Sequence, residues 1–323
     1  MCARSGRTMS RLERLQRLAR NNGDFQTMEE GLTVFGNIRA LLKEWLDAPK
    51  LEEIFRPEQI DRLLVNALKL YHILWDRSEE RRLVYNPCEP GVAYFIWYVI
   101  RSGYVGEPEL DADGRPVTRR GTALHEALRC DRRFFRCLII NETVPGLFDI
   151  YPRFEANYVD EDGLTHFHAA CRLGRVNMVE RFLDAGADPN CRASSGSGLT
   201  ALHFALQTDI LGDRRSVLNL LLKRGADPNL ADARGRSPLH VICSEFGYDW
   251  FLTKMVDGLC KKEYKPLRVN ARDDNDDTPL GLALRCGYKQ VAYLLRKYDD
   301  GSTPTDIAPE ETISRKMARL SVD

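Results

Sequence analysis

Repetition constrains this chain more than any feature of its composition. The stretch from Asp160 to Asn190, DEDGLTHFHAACRLGRVNMVERFLDAGADPN, has the punctuation of a complete helix–turn–helix unit. Thr165 stands where an N-cap is needed, its hydroxyl able to accept from an orphan amide at a helix start. Ala169, Ala170 and Cys171 are small, which lets this first helix lie close to its neighbours. Gly174 ends it, because the residue just past a helix commonly takes a left-handed conformation that glycine adopts freely. A second helix carries Val179, Phe182 and Leu183 at the i, i+3, i+4 spacing of one buried face, and Gly186 ends it in the same way. Ala187-Asp188-Pro189-Asn190 is a turn leading to the next copy.

Versions of this unit recur on both sides. GTALHEAL runs from Gly121 to Leu128, GLTALHFAL from Gly198 to Leu206, GRSPLHVIC from Gly235 to Cys243 and DTPLGLAL from Asp277 to Leu284. The turn returns as GADPN at Gly225 to Asn229, and in weaker form ending at Asn157 and Asn270. From Asn157 to Asn190 the step is 33 residues. With this period, the T-P-L-H-x-A pattern and the GADPN turn, the chain resembles the ankyrin-repeat family over roughly its C-terminal 60%. The resemblance implies an all-α fold, an ankyrin-repeat α-solenoid preceded by an N-terminal helical region. It also implies that the signature histidines, His125, His168, His203 and His240, hydrogen-bond locally and tie neighbouring turns together.

The expected organisation is a disordered start (1–8), an N-terminal helical region (9–104), five copies (about 118–157, 158–190, 191–229, 230–270 and 271–299) and a partial capping copy (300–323). Two extra residues lengthen the Ser/Gly-rich turn between Asn190 and Thr200, and the third copy has four more around its helices. The largest insertion, Gly258 to Leu267, brings in Lys261, Lys262 and Lys265; insertions in solenoids fall in loops, often on the binding face. The fifth copy has Gly281 for the signature histidine and Asp276 for the turn glycine. Asp tolerates the left-handed region better than most residues, so that turn is expected to survive. DGSTPTDIA, Asp300 to Ala308, reads as the first half of a sixth copy, and atypical terminal copies with polar outer faces keep a solenoid soluble.

Before the repeats, Met9 to Ala19 alternates leucines (Leu12, Leu15, Leu18) with arginines. That is either an Arg-rich targeting helix or a helix whose leucines dock behind it; Glu13 and the lack of a cleavage-like stretch favour docking. Three further helices are predicted. Met28 to Leu46 carries Ile38, Leu41, Leu42 and Trp45 on one stripe. Pro57 opens the next, with Ile60, Leu63, Leu64, Ala67, Leu68 and Tyr71 on its apolar face to about Trp75. Pro90-Gly91 opens a third, to about Arg101, with Phe95 and Trp97 as its bulky packing residues. This region is expected to bury the exposed first face of the repeat stack, at Leu124, Phe134 and Leu138.

Composition and motifs exclude much chemistry. Basic and acidic residues balance at 47 each, which offers no global argument for binding nucleic acid or a membrane surface. Val92 to Ile100 is too short to span a bilayer. Nine cysteines, scattered without a C-x-x-C pair, predict a reduced protein of the cytoplasm, with the nucleus as the alternative compartment. The loops starting at Asp111 and Asp273 fail as EF-hands, because Thr122 and Leu284 fall at the twelfth position where a carboxylate is required. His166 and His168 near Cys171 resemble a zinc pair, but a structural site needs four converging ligands. No GxGxxG, phosphate loop or G-x-S-x-G occurs. The expectation is a monomeric, non-enzymatic protein without cofactor.

Stacked copies bury their apolar faces on one another and leave a concave surface with loop tips along one edge. By family analogy the partner-binding positions flank the turn glycine: Glu161, Asp162 and Leu164, then Ala233, Arg234 and Arg236, then Asp274, Asn275 and Asp277. The last turn gathers Asp273, Asp274, Asp276 and Asp277. Asp273 matches Asp160 and Asp232 as a turn residue, and the rest read as surplus to structure, relieved by the inserted lysines or by a basic partner. THFHAAC with GADPN, behind IFRPEQIDRLL, is similar to ankyrin-repeat proteins expanded in some insects, some of which end in an F-box-like module that recruits ubiquitin ligase. About twenty residues follow the start of the last partial copy in this sequence, so no such module is expected within it. A protein–protein interaction scaffold is therefore the expectation, with a ubiquitin-ligase substrate adaptor as its alternative.

Overall fold

A computed structural model describes residues 10, 13–17, 27–43, 50–77, 90–107, 110–114, 116–129, 145–194, 196–208, 211–244, 249–259 and 266–299. Among these the regular elements are helices, joined by turns and a few isolated bridges. The chain forms two compact units, residues 1–187 and 188–323.

In the first unit, α1 (Met28–Lys43), α2 (Leu51–Ile54), α3 (Pro57–Arg77) and α4 (Pro90–Arg101) build the N-terminal region. α4 is the pivot, packing on both α1 and α3. Gly91 permits the closest approach: a Cβ there would lie 2.7 Å from the backbone of Phe35. Phe35 and Phe95 then meet with ring centroids 5.3 Å apart, and both are buried, as are Ile38 and Val99 on the same two helices. Residues 13–17 form a helical turn whose Leu15 is fully buried, so this leucine docks. Leu12, Leu18 and Trp45 lie outside the described residues, as does the stretch 1–8.

The expectation for α4 needs one correction. Phe95 is buried, but Trp97 is 45% exposed. Two residues along a helix rotate a side chain by about 200°, so both cannot face one core. Trp97 instead lies against Tyr94, and the Arg101 guanidinium sits 5.2 Å from its ring centroid.

α3 continues the packing onto α5 (Ala123–Arg129), the first helix of the first copy, where Leu124 is buried. Phe134 and Leu138 lie outside the described residues. α5 packs on α6 (His166–Arg172), which packs on α7 (Val176–Asp184). Thr165 caps α6 as its spacing predicts: its hydroxyl accepts from the His168 amide while His168 Nδ1 accepts from the Thr165 amide. Gly174 and Gly186 both hold positive φ, 65° and 93°. Val179, Phe182 and Leu183 form the buried face of α7.

The second unit repeats this plan with α8 (Ala201–Leu206), α9 (Leu211–Lys223), α10 (Pro238–Ser244), α11 (Asp249–Leu259), α12 (Pro279–Arg285) and α13 (Lys289–Asp299). First helices pack on first helices (α8 on α10, α10 on α12), and second on second (α9 on α11, α11 on α13). Asp276 takes the left-handed conformation, φ 63°, that glycine occupies in the other turns. Residues 300–323 and the inserted Lys261, Lys262 and Lys265 lie outside the described residues.

Candidate functional site

Three of the turn tips, those of the second, fourth and fifth copies, are each built outward from one buried carboxylate. Asp160, Asp232 and Asp273 are 2%, 7% and 8% exposed. Asp160 Oδ1 accepts from the Leu164 amide, Asp232 Oδ1 from those of Arg234 and Arg236, and Asp273 Oδ1 from those of Asn275 and Asp277. The backbone of each tip is thus tied from beneath, while the residues over the turn point outward. In the second unit the tips are also linked to one another, since the Asp274 amide donates to the Arg234 carbonyl and the Ala233 amide to that of Ser197.

The predicted partner-binding residues fall into three groups on this frame. Glu161, Asp162, Ala233, Arg234, Asp274 and Asn275 are exposed. Arg236 and Asp277 are half-buried and engaged. Arg236 Nη2 lies 2.7 Å from Asp232 Oδ2, and Asp277 receives both terminal nitrogens of Arg285 at 3.0 and 2.7 Å. Leu164 is a correction, being 8% exposed. Its amide closes the Asp160 turn, which points the side chain into the core rather than toward a partner.

Two of the fifth-copy carboxylates expected to be surplus to structure are engaged within the copy. Asp276 pairs with Arg272 and Asp277 with Arg285. In the second copy Asp162 pairs with Arg129 at 2.7 Å. These arginines were missed by sequence reasoning. Arg285 ends a helix eight residues beyond its partner and Arg129 lies 33 before its own, so no local pattern announces either pair. The Arg285 hydrogen bonds hold the Asp277 carboxyl below its usual range. Burial pushes the Asp232 carboxyl up, but the Arg236 side chain and the turn amides outweigh it and the net shift is downward.

Three of the signature histidines, His125, His203 and His240, do what the resemblance implies, and His168 makes the local part of it with Thr165. His203 Nδ1 meets Thr200 and its Nε2 reaches the Arg236 carbonyl at 2.9 Å; His240 spans Ser237 and the Ala271 carbonyl at 3.0 Å. The asparagines of the GADPN turns add a lacing that the sequence reading used only to count the period. Asn190 accepts from the Asp227 amide and donates to the Gly225 carbonyl, and Asn229 does the same with Arg268 and Pro266. His166 and His168 serve different threonines, Thr122 and Thr165. Among the described residues no group of three His, Cys, Asp or Glu side chains is placed to hold a metal, and no helix is long and apolar enough to cross a membrane.

A family model of ankyrin repeats (three copies) matches residues 124–232 and 210–306, more than half of the chain. The chain belongs to the ankyrin-repeat family. Its ankyrin region is similar to the probable 26S proteasome regulatory subunit p28 of Saccharomyces cerevisiae, 29% identical over 49% of this chain and 69% of that protein. It also resembles the tyrosine-protein kinase HTK16 of Hydra vulgaris, 40% identical over 24% of this chain, and human rabankyrin-5, 26% identical over 41%. This chain covers only 10% and 11% of those two proteins. Its ankyrin repeats mark a protein–protein interaction domain.

Proposed function

We propose that the chain is a non-enzymatic scaffold that captures a partner protein on the turn tips of its repeats. The observation that carries this is the division of labour within each tip. Asp160, Asp232 and Asp273 fix the backbone from within, so the side chains of Glu161, Asp162, Ala233, Arg234, Asp274 and Asn275 are presented on rigid supports, Asp162 in its pair with Arg129. A rigid surface loses little conformational entropy on binding, which favours affinity for a shaped partner. Arg236 and Asp277 contribute as the engaged flanks of these tips. In this reading residues 9–104 cap the first copy, and the protein works as a cytoplasmic or nuclear monomer on protein partners rather than on nucleic acid or membrane.

Quantitative affinity capture with the intact chain and with an Arg234→Glu, Asp274→Lys double variant tests it. A partner retained by the intact chain is expected to be lost by the variant, with folding preserved. Equal recovery by both moves the binding site off the tips.

A second reading, substrate adaptor for a ubiquitin ligase, draws on the likeness to p28, which is described as a proteasome regulatory subunit. Co-purification of cullin-type ligase components with the intact chain would favour it over the plain scaffold.

A further inference from the structure

Where the repeat signature has proline, the second copy has His166, and this departure builds a buried relay. His166 is 1% exposed, and its Nε2 lies 2.7 Å from Thr122 Oγ1. The same hydroxyl lies 2.9 Å from His125 Nδ1. That nitrogen also receives the Thr122 amide at 3.1 Å, which makes it an acceptor and puts the His125 proton on Nε2, donated to the Tyr158 carbonyl at 3.1 Å. The chain of donors is then complete in one direction. His166 Nε2–H donates to the Thr122 hydroxyl, the hydroxyl donates to His125, and His125 donates to Tyr158. It holds only while both imidazoles are neutral. A proton on His125 Nδ1 sets N–H against N–H, and a proton on His166 buries a charge.

The charged groups that surround the two rings among the described residues are already paired with one another. Arg120, before α5, is itself cationic and lies 4.9 Å from the Tyr158 ring. Asp61, on α3, is held by Arg120 at 3.3 Å and by the Tyr151 hydroxyl at 3.2 Å. Asp160, in the tip, is held by Arg129, which also binds Glu126 of α5 and Asp162. Tyr151 and Tyr158 face His166 at 5.2 and 5.1 Å, and the Tyr104 hydroxyl is given to the Pro57 carbonyl. Both carboxylates are already engaged, and the His125 and His166 centroids lie only 4.9 Å apart. Two imidazolium ions cannot share this space with Arg120.

We propose that His125, Thr122 and His166 form an acid-released latch: in neutral medium it fastens the second copy to the first, and acidification lets the two part. Burial, and after it His125 and Arg120, depress the basicity of His166; burial likewise depresses that of His125. For a base weakened by folding, the stabilisation is complete above the ordinary histidine value of about 6.5 and is lost as pH falls below it, because the opened state then binds the proton.

Hydrogen exchange on the full chain, corrected for the intrinsic pH dependence of exchange, reads the opening directly. Between pH 7.5 and 5.5 the opening equilibrium of segment 158–173 is expected to rise about tenfold more in the intact chain than in His166→Gln, the factor set by one histidine titrating near 6.5 when opened. His166→Pro restores the signature residue; the amide it removes leaves the Tyr158 carbonyl bonded to His125. It should match His166→Gln. Segments 200–206 and 237–243, which have their own signature histidines, should respond identically in all three proteins. Equal acid responses in the intact chain and both variants would overturn the latch. Ring NMR of the intact chain decides independently of any variant: the His166 signal should stay neutral until segment 158–173 opens. A ring that titrates near 6.5 while that segment keeps its protection sinks the proposal.

Discussion

Arg129 and Asp160 meet at 2.6 Å, and the contact fastens the second-copy turn to the first-copy helix. The two partners are unequal, since the Asp160 side chain is 2% exposed and that of Arg129 34%. Removing the arginine therefore strands a carboxylate that water cannot reach. Arg129→Met keeps the packing of the stem and removes the charge. It is expected to lower stability by about 1–2 kcal/mol, the range for a hydrogen bond to a charged group, reduced because the arginine is partly solvated. Urea denaturation measures it, and an unchanged midpoint would mean that the turn amide alone suffices for Asp160.

A pH-dependent counterpart exists in the second unit. The Asp232 carboxyl is held below its usual value despite burial, chiefly by Arg236. A carboxyl weakened in this direction contributes stability above about 4, which is lost as pH falls through its folded value. Arg236→Gln should flatten the acid limb of a stability–pH curve below about pH 4 and leave the curve above it parallel to that of the parent chain. Identical acid limbs would assign the depression to the backbone amides instead.

Local rules made the repeat geometry legible, and non-local contacts hid the chemistry of the tips. Thr165, Gly174 and Gly186 act within one or two turns of themselves, and so do the buried carboxylates at positions 160, 232 and 273. Arg129, Arg285 and the lacing asparagines act on residues that only the fold brings near. Leu164 was misassigned because a position flanking a turn glycine reads as surface until the turn's own hydrogen bonds are known. On α4 the density of aromatics concealed which of them faces the core.

That division on α4 can be tested by truncation. Phe95→Ala empties a fully buried site against Phe35 and is expected to cost about 3–5 kcal/mol. Trp97→Ala removes an exposed ring and its stacking with Arg101, and is expected to cost under about 1 kcal/mol. Comparable losses from the two would return Trp97 to the core.

The turn conformations allow a comparison in both directions. Gly174→Ala and Gly186→Ala place a Cβ at φ 65° and 93°, and each should cost on the order of 1 kcal/mol. Nothing lies within 4 Å of a Cβ at Gly186, so its cost is conformational alone. Asp276→Gly runs the other way, relieving φ 63° in a residue with a side chain while giving up the solvent-exposed pair with Arg272. It should leave stability unchanged or raise it by up to about 1 kcal/mol. A clear loss on this substitution would show that the exposed pair, and not backbone conformation, governs the turn.

The fifth-copy tip separates a binding charge from structural ones. Asp273 holds the turn from within, while Asp276 and Asp277 are paired with Arg272 and Arg285. Asp274 differs: it is exposed, and its amide joins the tip to Arg234 in the fourth copy. Rim charges act mainly on association rate and its salt dependence. Asp274→Lys should therefore leave the unfolding midpoint within about 0.5 kcal/mol of the parent chain while changing the rate at which a charged partner is captured. The change should be largest at low salt and fade as screening shortens the reach of the charge. Asp277→Lys is the control, because it sets a cation against Arg285 and disturbs the tip whether or not a partner touches it. If Asp274→Lys and the parent chain capture the partner at one rate across ionic strengths, the fifth-copy tip lies outside the interface, and the exposed Glu161 of the second copy becomes the place to reverse charge next.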